Sequence, residues 1–387
     1  MKILLYTNAF APKVGGQETI LMLLARGIAQ STSSAFSRTV ELTVVTPIPA
    51  NEMNDSVLPF SVVRQPNLIT LIRLVHWADV IHLAGPIFIP MILAALLWKP
   101  VVIEHHGFQA ICPNGQLLFE PTQDPCPGHF MARRYGECIR CNSGRGKLRS
   151  MKMWLLTFPR RWLCQHVAVN LLPTKWLGTL LKLNRMEVIV HGIPRPETAP
   201  ARGGPPSVPT FAFLGRLVST KGVRVLLNAA QQLKAKGLRF RVKIIGQGPD
   251  RPALEKLVRD LQVEDCVRFL GYVPIEQLDR DLADVTAVVM PSLAGEVFGL
   301  VAAEEMQRGR LVIVSDIGAL AEVVGDSGLK FPPGDATALA HCMETAMTDV
   351  SLAERMGQNA AHRIAQCFAV DRMANEHLRV YEELYRH

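Results

Sequence analysis

Residues 2–30, KILLYTNAFAPKVGGQETILMLLARGIAQ, contain the unit from which the whole chain is built. KILLYT (2–7) is an apolar run of strand length, a loop with Gly15-Gly16 follows, and from Glu18 to about Gln30 the residues Ile20, Leu21, Leu23, Leu24 and Ile28 recur at helical spacing. Strand, glycine loop and helix then repeat. VELTVVTP (40–47), ADVIHLAG (78–85), VVIEHHG (101–107), HVAVNL (166–171) and MEVIVHGI (186–193) read as strands, with helices over 86–98 and near 174–182. Apolar strands alternating with helices predict a parallel sheet covered on both faces.

The segment PRPETAPARGGPPSVP (194–209) holds six prolines and two glycines, too broken for either periodic element, and reads as a linker. A second series follows it. TFAFLG (210–215), FRVKIIG (240–246), VRFLGYV (267–273), AVVMPS (287–292) and LVIVSD (311–316) alternate with helices at about 223–236, 250–262, 275–282 and 299–308. The expected fold is α/β, with two tandem Rossmann-like doubly wound domains over 1–196 and 197–387, a size that agrees with roughly 150 residues per domain. The first carries a cysteine-containing insertion at 108–150, and the C-terminal helix is placed to pack back on the first domain. Ligands of such sheets bind beyond the carboxyl ends of the strands, so the expected site is the cleft between the domains.

With 49% apolar and 20% charged residues, the chain is neither disordered, collagen-like nor coiled coil. The longest apolar run, Pro86–Trp98, falls short of the roughly 20 residues a spanning helix needs. The N-terminal run turns polar at Thr7 and Asn8 before a signal-peptide core can form, so a cytoplasmic protein is expected, with its eight cysteines as thiols or metal ligands rather than disulfides. The net charge of +8 suits an anionic partner. It concentrates at Arg133, Arg134, Arg140, Arg145, Lys147, Arg149, Lys152, Arg160 and Arg161, opposed by Glu137 alone.

The densest chemical signal is PSLAGEVFGLVAAE (291–304), where a strand ends, a glycine loop follows and a helix begins near Gly299. Backbone N–H groups at that helix start can hold a phosphate. Glu296 and Glu304, eight apart, would bracket the anion and accept hydrogen bonds from sugar or ribose hydroxyls, although Glu304 and Glu305 read equally well as solvated helix acids. In GRLVSTKG (215–222), Arg216 and Lys221 can flank a diphosphate, the first as a planar fork and the second as a point charge. Gly15 and Gly16 would let the backbone approach that diphosphate in the first domain. His105-His106-Gly107 ends another strand, where a histidine is structural or catalytic.

These features together resemble the retaining family 4 glycosyltransferases of the GT-B fold. The resemblance spans nearly the whole chain and rests on FLGRLVSTKGV (213–223), IIGQGP (244–249), VRFLGYV (267–273), PSLAGEVFGLVAAEEM (291–306), SDIGALAEVV (315–324) and KFPPGD (330–335). In the first domain it rests on GGQE (15–18), EHHG (104–107) and VIVHGIP (188–194). It implies an acceptor-binding first domain and a second domain for the nucleotide sugar, UDP- or GDP-linked. Glu296 resembles the glutamate on the transferred sugar and Glu304 the one on the ribose. Arg216 and Lys221 match the pair that neutralises the leaving diphosphate, helped by the amides of Phe298, Gly299 and Leu300. Gly16 matches the glycine nearest the phosphates, and His106 the histidine lining the sugar and acceptor pocket. Catalysis needs no cofactor in such enzymes, and the acceptor is a glycan or a lipid-linked precursor of cell-envelope polysaccharide.

The segment Glu305–Leu311 departs from the family's small-residue pattern, and His191 stands where asparagine is common. Alternative functions are a sugar-nucleotide epimerase or hydrolase of the same fold, or a non-catalytic nucleotide-sugar-binding protein. Cys112, Cys126, Cys138 and Cys141 fall within thirty residues, and the Cys138-x-x-Cys141 spacing suits a structural zinc site; a disulfide and unpaired buried thiols are the other readings. Met151, Met153, Trp154, Leu155, Leu156, Phe158, Trp162 and Leu163 interleave with Lys152, Arg160 and Arg161, a composition for lying in an anionic membrane interface, with Pro159 expected to break the helix. No nucleic-acid motif accompanies the patch, so nucleic acid is not expected as a partner.

Overall fold

The computed structural model describes residues 1–13, 15–30, 39–195 and 207–386. The linker read at 194–209 lies, over 196–206, outside the described residues. The chain divides into two compact units: Met1–Leu117, Pro127–Pro194 and Phe368–His387 form the first, and Leu118–Cys126 with Arg195–Cys367 the second.

The elements up to residue 194 are β1 (Lys2–Tyr6), α1 (Gly16–Gln30), β2 (Glu41–Thr46), β3 (Ser61–Arg64), α2 (Leu68–Trp77), β4 (Val80–Leu83), α3 (Phe88–Leu96), β5 (Val101–Glu104), the hairpin strands β6 (Leu118–Phe119) and β7 (Asp124–Pro125), α4 (Tyr135–Cys141), α5 (Lys147–His166), β8 (Val169–Leu172), α6 (Lys175–Leu181) and β9 (Met186–Val188). The first unit's sheet runs β3-β2-β1-β4-β5-β8-β9, all parallel. Its central strands are buried on both faces, which is why they read as unbroken apolar runs: Ile3, Leu4, Leu5, Val80, Ile81 and Leu83 are all fully buried. Helix α1 lays Ile20, Leu21, Leu24 and Ile28 against it.

The C-terminal helix Val370–Arg386 belongs to this same unit and buries Met373, His377, Leu378 and Tyr381. The hairpin β6–β7, read from sequence as part of an insertion in the first domain, groups with the second unit. Pro159 does not break α5, contrary to expectation; the helix runs unbroken through it over 20 residues. The carbonyl that proline deprives of a donor is that of Leu155, which is 58% exposed, so solvent can supply the missing bond.

The second unit contains β10 (Thr210–Leu214), α7 (Val223–Ala235), β11 (Arg241–Ile245), α8 (Arg251–Asp260), β12 (Val267–Gly271), α9 (Ile275–Asp281), β13 (Ala287–Met290), α10 (Leu300–Gln307), β14 (Leu311–Ser315), α11 (Gly318–Val324), β15 (Leu329–Phe331), α12 (Ala336–Thr348) and α13 (Val350–Cys367). Its parallel sheet runs β12-β11-β10-β13-β14-β15 over a core of Phe211, Phe213, Leu226, Leu227, Ile244, Val289 and Ile313. The order reverses between β10 and β13, so their carboxyl-terminal loops diverge to opposite sides and leave a crevice there.

Candidate active site

Three loops of the second unit meet at those carboxyl ends. Gly222 sits at φ +65°, and a Cβ on it would lie 1.8 Å from the Pro291 carbonyl oxygen. A Cβ on Gly246 would lie 1.9 Å from the Gly215 oxygen. Only glycines permit this backbone-on-backbone approach. Leu217 N–H donates to Gln247 O (2.9 Å) and Leu293 N–H to Thr220 O (2.8 Å), tying the loops after β10, β11 and β13 to one another.

This locking brings Lys221 to Glu296. The Lys221 ammonium donates to Glu296 Oε1, and Ser292 Oγ donates to the same oxygen at 2.9 Å. Glu296 is buried at 7% exposure, and a carboxylate so placed requires such partners. Arg216 stands exposed at the mouth of the same loop. Phe298 is a core residue, and Gly299, at φ +100°, forms the N-terminal cap of α10 with no side-chain cap. The sequence-derived Arg216, Lys221, Glu296, Phe298, Gly299 and Leu300 therefore lie on two interlocked loops and the start of α10.

Glu304 and Glu305 differ sharply, and neither is the solvated acid that a bare reading of the helix allows. Glu305 is 1% exposed and accepts from Arg310 Nη1 at 2.6 Å and Arg308 Nη1 at 3.4 Å, while Asp279 receives Arg308 Nε at 2.8 Å. Arg308 and Arg310 thus supply the cations that a buried carboxylate requires. Glu304 is half-buried, and its carboxyl takes no hydrogen bond among the described residues. Burial pushes it up to about 7 against the pull of Arg308.

In the first unit, Gly15 precedes α1, whose first residue is Gly16. β5 ends at Glu104, so His105 and His106 leave the strand. His105 is fully buried and donates Nε2–H to Asn170 Oδ1 at 2.8 Å; burial lowers it to about 4, which makes it a neutral packing residue. His106 stacks on His191, ring centroids 5.3 Å apart, with Nε2 3.3 Å from Glu104 Oε2. Glu104 carries no signal of its own in the sequence, yet His82, His106, His191 and His377 all converge on it. Burial alone would raise its carboxyl, but the imidazoles of His106, His82 and His377 around it hold it well below the usual carboxylate range. No spacing rule links residues so far apart in sequence.

Of the four cysteines, Cys112, Cys138 and Cys141 are buried in the first unit and Cys126 is half-buried in the second unit's hairpin segment. Cys112 Sγ donates to Asn114 Oδ1 at 3.0 Å, and Asn114 Nδ2 to Cys141 Sγ at 3.7 Å. Among the described residues the groups close enough to share one ion consist of histidines and glutamate, and contain none of these cysteines.

A family model described as glycosyl transferases group 1 matches residues 195–363, which include Arg216, Lys221, Glu296 and Glu304. Over 297 residues, 73% of this chain and 69% of the relative, the sequence is 30% identical to a glycogen synthase of Mycobacterium tuberculosis. The chain belongs to the group 1 glycosyltransferases. It is also 24% identical over 303 residues, 77% of this chain and 74% of the relative, to an alpha-D-kanosaminyltransferase of Streptomyces kanamyceticus. The fold matches sucrose-phosphate synthase of Thermosynechococcus elongatus with a TM-score of 0.74 at 20% identity, covering 100% of this chain and 99% of that one. It matches Anabaena HepE in complex with UDP-glucose with a TM-score of 0.71 at 17% identity, covering both chains fully (100% and 100%). This glycosyltransferase therefore has the two-domain GT-B architecture, and the residues picked out in its second unit fall inside the matched region.

Proposed function

We propose that this glycosyltransferase transfers a sugar, with retention, from a UDP- or GDP-sugar to a glycan or lipid-linked acceptor. The observation that carries the reading is the buried Glu296 held by Lys221 and Ser292 beside the start of α10. The reaction breaks the C1–O bond, and its electron pair leaves with the nucleoside diphosphate. The acceptor oxygen bonds to C1 on the same face, and its proton passes to a donor phosphate oxygen. Arg216 and Lys221 stabilise the charge that grows on the leaving group, with the amides of Phe298, Gly299 and Leu300. Glu296 orients the sugar, Glu304 holds the ribose, Gly15 and Gly16 let backbone approach the phosphates, and His106 lines the sugar and acceptor pocket. HepE, crystallised with UDP and with UDP-glucose, supports the donor class. Thermal shift against UDP-, GDP- and ADP-sugars identifies the donor. Failure of every one to stabilise the protein, or full-rate release of free sugar or epimer without acceptor, removes the transfer reading.

The Glu304 assignment has a pH signature. With its carboxyl near 7, Glu304 is mostly neutral at pH 6 and mostly ionised at pH 8, and a carboxylate is the stronger acceptor for ribose hydroxyls. Donor affinity is expected to rise several-fold, by at most about tenfold, from pH 6 to pH 8, as the ionised fraction does. Glu304→Gln should flatten that profile and sit at the weak limit. Calorimetric titration at both pH values measures it, and an unchanged slope in the variant rejects the ribose contact.

The acceptor reading extends to where the enzyme works, on the cytoplasmic face of a membrane. Along α5, Leu148, Met151, Leu155, Phe158 and Trp162 are exposed at 81, 50, 58, 37 and 61%, three or four residues apart on one face, with Lys152 exposed among them. No helix among the described residues is long and apolar enough to cross a membrane. The stripe suits interfacial docking, with each nearby cation adding about 1 kcal/mol on an anionic leaflet. Co-sedimentation should show binding to anionic vesicles that weakens with salt and falls at least severalfold in Leu155→Asp/Trp162→Asp. Binding indifferent to lipid charge, salt or these changes defeats the claim.

A further inference from the structure

Glu104 is 1% exposed, and among the described residues neither of its oxygens has a partner in hydrogen-bond geometry. His82 Nε2 approaches Oε2 at 3.2 Å and His377 Nε2 approaches Oε1 at 3.9 Å, yet among the described residues neither nitrogen has a partner in hydrogen-bond geometry. All three residues are fully buried. A charge or lone pair in such a place is paired, or it binds a metal.

His377 decides between the two. Its Nδ1 lies 2.8 Å from the Met373 carbonyl oxygen, which can only accept, so Nδ1 carries the proton. In the neutral ring, Nε2 then turns a lone pair toward the Glu104 carboxylate, an arrangement that repels. His82 is oriented by a partner as well, its Nδ1 2.6 Å from the Tyr381 hydroxyl and its Nε2 facing Glu104. Histidines that ligate a metal commonly engage their second nitrogen with a carbonyl or other fixed partner, which orients the ring. Ligand atoms at about 2.0–2.1 Å from a tetrahedral zinc lie about 3.4 Å from one another. The two separations above bracket that value, and the three ligand atoms all fall within 4.8 Å of one another.

We propose that His82, Glu104 and His377 bind one divalent transition-metal ion, with zinc the best match to two imidazoles and a carboxylate. The ion ties β4 and β5 to the C-terminal helix. That helix is already seated closely, since a Cβ on Gly192 would lie 2.5 Å from Val370 Cα. It also fixes the carboxylate against which His106 rests. The proposal is independent of the transfer reaction, because it concerns metal content and helix docking rather than donor chemistry.

The test uses the full chain, stripped with chelator, dialysed against micromolar zinc and analysed for metal. About one equivalent per chain should be lost in His377→Ala and in His82→Ala, the bound ion having three protein ligands, while Cys138→Ser retains it. Circular dichroism checks that the variants fold. Should they not, cobalt substitution of the unaltered protein decides: visible d–d absorption without a near-ultraviolet thiolate band supports the site. Metal content unchanged in both histidine variants, an equivalent lost only with Cys138→Ser, a thiolate band as the sole cobalt signature, or no metal retained would each overturn it.

Discussion

Replacing Lys221 by alanine is expected to lower turnover by about 10²-fold, the typical effect of removing one group that stabilises developing charge. Donor affinity should fall much less. The ammonium is attached to Glu296 on an interlocked pair of loops, so it is in place before the bond breaks and needs no rearrangement. Charge on the leaving diphosphate grows only as the C1–O bond lengthens, so an interaction with it is stronger in the transition state than in the bound donor. The same change strips Glu296 of its cation and leaves Ser292 as its hydrogen-bond partner among the described residues, which should slacken the Glu296 carboxylate as well. Arg216→Ala should show the same kcat-weighted loss without disturbing Glu296, since Arg216 is exposed. Steady-state rates beside calorimetric donor affinities separate the effects. Full turnover in either variant would remove the diphosphate assignment.

Gly222→Ala is expected to be the most destabilising single methyl in the second unit's loops. Two costs combine: alanine at φ +65° is strained, and its Cβ would meet the Pro291 carbonyl at 1.8 Å, backbone that cannot swing aside like a side chain. Together they should cost about 3 kcal/mol, which for a unit of this size lowers the melting midpoint by about 6–12 °C. Gly237 provides the control, since it sits at φ +74° with nothing within 4 Å of a Cβ. Gly237→Ala should therefore show the backbone strain alone, about 1 kcal/mol. Because the Gly222 contact also holds Lys221 against Glu296, the first variant should lose activity even at temperatures where it remains folded. Equal melting shifts for the two variants would show that the loops are not locked.

The elements legible in the sequence are those whose burial is symmetrical. β1, β4, β10, β13 and β14 are covered on both faces, so each is a run of apolar residues that identifies itself locally. β3 and β15, at the sheet edges, are only partly buried and do not identify themselves in the sequence. The residues proposed to hold the donor are legible for a related reason. A strand end, a glycine loop and a helix start are adjacent in sequence, so the groups that would hold a phosphate appear together in 291–304 and 215–222. Sequence alone thus determined the α/β class, the tandem sheets and the residues flanking the second sheet's loops. Only the tertiary structure decided that Lys221 neutralises Glu296 across 75 positions, and that Glu305 is locked by arginines while its neighbour Glu304 is left with a raised carboxyl. It alone gathered His82, Glu104, His377 and Tyr381, the first and last of them 299 positions apart, around one carboxylate. Periodicity records which face of an element meets the core, because that is set by neighbours three or four residues away. A buried charge and its partners lie on different elements, and the register of those elements is fixed only when the sheets and helices pack.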